Sequence, residues 1–126
     1  MKLLIVILSA LVGAASVFAG QQQSGDLVAV MEEAVNTAAH GELGRAMLQL
    51  NSQARTPKSP KEEAVETEGF QEAYRKTSEF GELDSVERLS LVFTGESFFR
   101  LRLVEKHAEG VVLWTLVGYR FKNSWY

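Results

Sequence analysis

The pattern of apolar and polar positions is clearest in the last third of the chain. Three strand-length runs lie within residues 83–121, and the turn residues Thr94-Gly95-Glu96 and Ala108-Glu109-Gly110 separate them. A fourth run begins at Trp125, after the turn residues Lys122-Asn123-Ser124. Runs of this length between short turns are typical of consecutive antiparallel strands. The sequence therefore predicts a meander of three or four strands.

The register of the second hairpin decides which side chains of this meander face the core, because residues two apart share a face. A three-residue loop at 108–110 groups the odd-numbered residues of the strands together, whereas a two-residue turn at 109–110 would place Arg102 opposite Val117. Burying even an uncharged polar group without a partner costs roughly 2–7 kcal/mol, which exceeds a turn preference. We therefore expect the odd-numbered face to form the core and the even-numbered face, with its arginines and Trp114, to lie outside.

Three helices are predicted before the meander, and the first two follow from the spacing of apolar residues. Asp26 is a good N-cap residue, and apolar side chains follow it at helical spacing. The shorter second helix is expected from Leu43 to about Ser52, after the helix-ending His40-Gly41. The apolar stripe of the first helix consists of Leu27, Val30, Met31, Ala34, Val35 and Ala38.

A third helix has the sharpest start signal in the chain. Ser59 and Glu62 have the spacing of a capping box, and Pro60 occupies the first helical position. This helix is expected to run to about Glu79, with a kink or break at Gly69. Helices that precede a one-sided antiparallel sheet predict an α+β domain. The expected core side of the third helix consists of Phe70, Ala73, Tyr74, Thr77 and Phe80.

The first nineteen residues have the pattern of a signal peptide. Lys2 precedes an apolar stretch at residues 3–12, and small residues follow before Val17 and Ala19 at the positions that a signal peptidase reads. The apolar stretch is short for a membrane span, which needs about 20 residues. We therefore predict cleavage after Ala19, with Gly20 as the alternative site, and an uncleaved membrane anchor as the less favoured interpretation. The predicted organisation is a signal peptide at 1–19, a linker at 20–25 and a single α+β domain at 26–126, exported to the periplasm or secreted.

Composition narrows the class of partner. The 126 residues include no Cys and have a formal net charge of −3. Export therefore brings neither a disulfide framework nor a lipid-bearing Cys, and the mild acidic balance argues against general nucleic-acid binding. The dispersed Gly residues form no phosphate-binding loop, and no His, Asp or Glu set has metal-ligand spacing. The sequence therefore predicts no cofactor and no metal, and a partner that is an unknown small ligand or a protein.

The chain resembles small exported proteins of the nuclear-transport-factor-two-like class. The exported bacterial proteins that it resembles have no assigned activity. The resemblance rests on Phe80-Gly81-Glu82-Leu83, on Val86-Glu87 at the start of the meander, on Leu113-Trp114 and Tyr119, and on Trp125 after the last turn. It implies a cystatin-like roll, in which a curved sheet wraps a long helix and leaves a conical pocket. That fold hosts enzymes, binding proteins and dimerisation modules, so it does not fix a function. The last strand stops short of the family pattern.

One group of candidate catalytic residues lies near the second hairpin. Glu87, Glu105 and His107 are odd-numbered, so they are expected on the inner face with Ser85 beside them. A carboxylate beside a His is the minimum for proton transfer. The alternative is that these residues lie beyond the core, at a solvated end of the sheet, without a function.

A basic stripe is the candidate binding surface. Even-numbered arginines surround Trp114 on the expected outer face, and they would suit an anionic partner such as a polysaccharide, a lipid headgroup or an acidic protein. The alternative is a solvated face, with arginine stems covering the apolar side chains. The arginines of this stripe are Arg88, Arg100, Arg102 and Arg120.

A non-catalytic exported binding or interaction domain is the predicted function. The alternative is a small pocket enzyme, of isomerase or hydrolase type, that uses Glu105 or Glu87 with His107. Such enzymes place an acid–base pair deep among apolar residues, where burial shifts the pKa. The expected deep positions are all without a carboxylate or a His: Leu89, Leu91, Leu101, Val117 and Tyr119.

The edge of the third strand, residues 111–121, is expected to be free. A long apolar edge invites pairing with other chains. The run Ser124-Trp125-Tyr126 covers only about 10 Å at roughly 3.3 Å per residue. The sequence therefore predicts either that the chain lacks its C-terminal strand or, as the alternative, that it forms a homodimer through this edge.

Overall fold

The computed structural model describes residues 2–9 and 24–126. It has three α-helices and a mixed sheet, which confirms an α+β domain. The helices are α1 (Ser24–Ala39), α2 (Leu43–Ser52) and α3 (Pro60–Tyr74), and a 3-10 helix (Arg75–Phe80) continues α3. The strands are β1 (Lys2–Ser9), β2 (Leu83–Thr94), β3 (Phe98–His107), β4 (Gly110–Phe121) and β5 (Ser124–Trp125).

The apolar stripe of α1 is buried as its spacing predicts. The helix lies against β2, β3 and β4, and it buries five of the six expected residues, with Val30 half-buried. It begins at Ser24, two residues before the predicted cap, so the end of the predicted linker belongs to α1. The second helix, α2, has the predicted bounds and buries Leu43, Ala46 and Met47.

The capping box of α3 forms as predicted. The Ser59 hydroxyl accepts a hydrogen bond from the Glu62 backbone N–H at 3.3 Å, and the Glu62 carboxylate accepts one from the Ser59 N–H at 3.1 Å. The helix is continuous through Gly69, so the break expected there is wrong, and the geometry changes to 3-10 only at Arg75. No side chain of α3 is fully buried. The first buried side chain after α3 is that of Phe80, at the end of the 3-10 helix.

The register of β3 against β4 differs from the prediction. The strand β3 ends at His107 and β4 begins at Gly110, so Leu101 pairs with Leu116 and Leu103 with Trp114. Arginines 100 and 102 stay outside, as expected, but the core of β4 is its even-numbered face. The buried residues are therefore Val112, Trp114 and Leu116, and not Val117 and Tyr119. Arg100 and Arg102 constrain the orientation of β3 alone, because β4 is apolar on both faces and accepts either orientation.

A bulge in β2 reverses a second assignment. The register against β3 shifts between Arg88 and Ser90, and Leu89, which was expected in the core, is 55% exposed. A bulge of one residue turns the side chains before it to the opposite face. Arg88 consequently faces α1, where it forms an ion pair with Glu32. Glu87 lies on the outer face, where its Oε1 atom forms an ion pair with the Lys106 Nζ atom at 3.0 Å.

The edge of β4 is not free in this structure. The sheet order is β1-β4-β3-β2, with β1 parallel to β4, and β5 pairs with the end of β4. The expectation of an open edge is wrong because β1, which covers it, consists of residues that were predicted to belong to a signal peptide. The predicted cleavage site at Val17–Ala19 lies outside the described residues. Among the described residues, no helix has both the length and the hydrophobicity that a membrane span requires.

The core lies between α1, α2 and one face of the sheet. It includes Leu27 of α1, Phe99 and Leu101 of β3, and Trp125 of β5. Gly118 permits a close approach of β4 to the Phe99 ring, since a Cβ there would lie 2.3 Å from that ring. A larger residue at position 118 would force the aromatic cluster apart.

Candidate functional site

A fully buried carboxylate connects the sheet to α3. Glu105 has an exposed fraction of 0% and accepts three side-chain hydrogen bonds. The Tyr74 hydroxyl donates to its Oε1 atom at 2.5 Å, and the Trp114 indole N–H donates to Oε2 at 3.0 Å. The His107 Nε2 atom lies 2.7 Å from Oε1. A buried carboxylate is stable only when donors of this kind satisfy it.

His107 is held from both sides. Its Nδ1 atom lies 3.1 Å from the carbonyl oxygen of Gly81, in the turn that follows the 3-10 helix. The Phe80 ring packs edge-on against the imidazole, with ring centroids 6.1 Å apart. Each ring nitrogen therefore faces an acceptor oxygen, and the side chain is 7% exposed. Such contacts fix the ring and leave neither nitrogen free for a ligand.

Tyr74 is a permanent donor in this cluster. Its pKa is raised above the usual range, first because burial disfavours the phenolate, and then because the Glu105 carboxylate is close and accepts its hydrogen bond. The ring also packs against Trp114, with centroids 5.9 Å apart. The phenol therefore remains protonated at neutral pH, and it cannot act as a base.

The structure divides the predicted catalytic trio. Glu105 and His107 are in contact, as the shared face of β3 predicted. Glu87 is on the other side of the sheet, because of the bulge in β2, and pairs there with Lys106. Across residues 2–9 and 24–126, no group of three His, Cys, Asp or Glu side chains is arranged to hold a metal ion.

The predicted basic stripe is not one surface. Trp114, which was expected at the centre of the stripe, is 1% exposed, and its indole N–H donates a hydrogen bond to Glu105. Arg88 faces α1, and Arg120 lies 3.8 Å from Glu96 near the first hairpin. The part that remains on the outer face consists of Arg100 and Arg102, both exposed.

A cavity lies between α1, α2, the start of α3 and β4, away from the buried carboxylate. It has a volume of about 100 Å³. Its wall is apolar and includes Met31 of α1, Met47 and Leu50 of α2 and Leu116 of β4. The apolar pattern did not predict this cavity, because Met31 belongs to the core stripe of α1 and Leu116 was expected on the outer face of β4.

The mouth of this cavity is polar and ordered by internal bonds. The Asn51 amide donates to the Glu63 carboxylate at 2.9 Å, and its oxygen accepts from the Lys58 backbone N–H at 2.8 Å. The Lys58 ammonium forms an ion pair with Glu66. The mouth therefore combines an amide, one cation and two carboxylates at the edge of an apolar space.

Comparisons of the chain with protein-family models, with curated proteins and with solved structures found no match.

Proposed function

We propose that this chain is an exported, non-catalytic binding domain that holds a small apolar molecule, or the apolar end of a larger one, in the cavity between α1, α2 and β4. The observation that carries the proposal is the cavity itself, with an apolar wall and a polar mouth. Ligand sites typically combine a mostly apolar lining with a few placed polar groups.

The size of the cavity limits what can enter. An engineered cavity of about 150 Å³ in another protein holds benzene, so a space of about 100 Å³ accommodates only a few carbon atoms. A short alkyl chain fits, with its head group at the mouth. Glu63 and Glu66 give that mouth two carboxylates against the single Lys58. A neutral or cationic head group is therefore favoured over an anionic one.

The alternative, a small pocket enzyme, would need an acid–base pair that reaches a ligand. None of Tyr74, Glu105 and His107 lines the cavity. Glu105 is fully enclosed and its oxygens are occupied by internal donors. A general base must lie within hydrogen-bonding reach of its substrate. Binding without catalysis is therefore the better supported function.

The proposed fold is a cystatin-like roll of the nuclear-transport-factor-two-like kind. The long helix α1 lies against three strands of a curved sheet, and the strands β2, β3 and β4 follow it as a meander. In this proposal the cavity beside α1 corresponds to the pocket between helix and sheet of that class.

Export after removal of residues 1–19 is part of the proposal. Its support is the basic, apolar and small-residue pattern of the N-terminus. Intact mass of the protein recovered from outside the cytoplasm tests it, and a mass that begins at Gly20 is expected. A mass that includes the leader would contradict export by cleavage.

Methionine methyl NMR tests the cavity directly. Met31 and Met47 both line it, so their ¹³C-labelled methyl signals should shift together when 1-butanol or butylamine is added. The variant Ala54→Leu, at a half-buried wall position, should fill the space and abolish the shifts. Ala73→Leu, on the exposed side of α3, is the matched control and should leave them unchanged. Shifts that persist in Ala54→Leu, or no shifts at all, would contradict the proposal.

A further inference from the structure

The edge of β4 beyond β3 has a continuous row of backbone donors and acceptors. Tyr119 exchanges both backbone bonds with Tyr126 on that edge, whereas the N–H of the next residue, Arg120, bonds to Ser97 on the β3 side. Backbone groups alternate sides along a strand. The odd-numbered residues of β4 between 111 and 117 therefore turn their N–H and C=O groups to the edge where β1 lies.

The strand β1 fits this edge closely. It pairs with residues 110–117 over its whole length, and Val6 reaches the core with 6% exposure. The Lys2 N–H donates to the Glu109 carbonyl at 3.2 Å, just before β4 begins. Gly110 allows this approach, since a Cβ there would lie 2.9 Å from the Lys2 carbonyl oxygen. The edge is therefore shaped to receive a strand.

The residues of β1 are also residues 2–9 of the predicted leader, so one segment has two roles. We propose that the β4 edge is a strand-acceptor site that the leader closes in the precursor, that cleavage opens it, and that β4 of a second copy then pairs with it. This inference rests on the export and cleavage in the proposed function.

Charge favours a second copy as the occupant. The stretch from Gly110 to Tyr119 contains no charged residue and no Pro, so two such edges meet without repulsion. The other sheet edge, β2, carries charges and a bulge around Leu89, which are the usual protections against edge pairing. Antiparallel pairing of two β4 edges about a two-fold axis would join both sheets into one and leave both α1 helices on the same face.

Light scattering on the precursor and on the exported form tests the inference, with intact mass measured on both. The precursor, purified from the cytoplasm with its leader, should be a monomer. The exported form should be a dimer at micromolar concentration. A synthetic peptide of residues 2–9 with a polar tail should convert that dimer into a one-to-one complex of monomer and peptide.

Thr115→Lys in the exported form adds a charge in the middle of the edge, and charged residues there block strand pairing. It should weaken dimerisation at least about tenfold, the change that 1.4 kcal/mol produces. Thr94→Lys, at the exposed end of β2, is the matched control and should leave dimerisation unchanged. Circular dichroism of each variant checks that it is folded.

Three results would overturn the inference. An exported form that keeps its leader would show that the edge is never opened, and it would also contradict the proposed cleavage. An exported form that lacks the leader but is a folded monomer would contradict the strand-acceptor site alone. A dimer that Thr115→Lys and the peptide leave intact would place the interface elsewhere.

Discussion

Tyr74→Phe is the substitution that most directly measures what the buried carboxylate contributes. It removes the hydroxyl that donates to Glu105 at 2.5 Å and keeps the ring that packs on Trp114. A hydrogen bond to a charged group contributes roughly 1.5–3 kcal/mol to stability. We expect the free energy of unfolding to fall by that amount. At about 4 °C per kcal/mol for a domain of this size, the melting temperature should fall by about 6–12 °C.

A more severe change should follow at the carboxylate itself. Glu105→Ala removes the acceptor of three side chains and leaves the Tyr74 hydroxyl and the Trp114 indole N–H without a partner, which costs about 1–3 kcal/mol for each. Tyr119→Phe is the matched control, because the Tyr119 hydroxyl is enclosed and makes no hydrogen bond within the described residues. The variant Tyr119→Phe should leave the free energy of unfolding unchanged or raise it slightly. Urea titrations followed by tryptophan fluorescence give all three values.

A loss of less than about 0.5 kcal/mol in Tyr74→Phe, the usual effect of a surface change, would contradict this expectation if the dependence on urea is unchanged. The cluster would then contribute no net stability. The 3-10 helix and α3, which has no fully buried side chain, would have to be held to the sheet by other contacts.

Alkaline pH gives an independent measurement of the same contact. The pKa of Tyr74 is raised by burial, by the Glu105 charge and by its hydrogen bond, so the folded chain keeps a proton that the unfolded chain releases above about pH 10. The stabilisation is fully present below that pH and is lost as the pH rises, by up to about 1.4 kcal/mol per unit. The stability difference between wild type and Tyr74→Phe should therefore shrink above pH 10. A constant difference up to pH 11.5 would contradict the assignment.

Two further pairs of variants test the packing by thermal unfolding. Leu101→Asp should unfold the domain, because it places a charge at a fully buried position and loses about 1.5–3 kcal/mol of apolar burial. Arg102→Asp, on the exposed face of the same strand, should change stability by about 0.5 kcal/mol at most. Equal losses in the two variants would contradict the face assignment of β3. Gly69→Ala, in open space on α3, should stabilise by about 0.5–1 kcal/mol, whereas Gly118→Ala should destabilise by roughly 1–3 kcal/mol through its contact with Phe99. Opposite signs are the expected result, and equal signs would contradict the packing.

The helices could be predicted because each one has a local signal. The stripe of α1 and the bounds of α2 follow from spacing alone, and the Ser59 capping box marks the start of α3. The end of α3 could not be predicted in this way. The change to 3-10 geometry at Arg75 occurs where Tyr74 turns toward Glu105 and Phe80 enters the core, and both are tertiary contacts.

The faces of the strands could be predicted only where a charge forces them. Arg100 and Arg102 hold the even face of β3 outside in any register that folds. No charge constrains β4 between Gly110 and Tyr119, so its orientation depended on the length of one turn. The bulge at Leu89 could not be predicted from the sequence, because the residues around it include neither Gly nor Pro to mark it.

Glu105 supplies the constraint on β4 that the apolar pattern lacks. On the odd face of β3 it is buried, and a buried carboxylate needs donors from neighbouring elements. Trp114 has the one indole N–H that β4 offers, and it reaches Glu105 only when the even face of β4 points inward, as the pairing of Leu103 with Trp114 requires. The odd-face register would direct that indole to solvent and leave the carboxylate without its Oε2 donor. A single buried charge on one strand can therefore determine the orientation of a neighbouring strand whose own sequence is ambiguous.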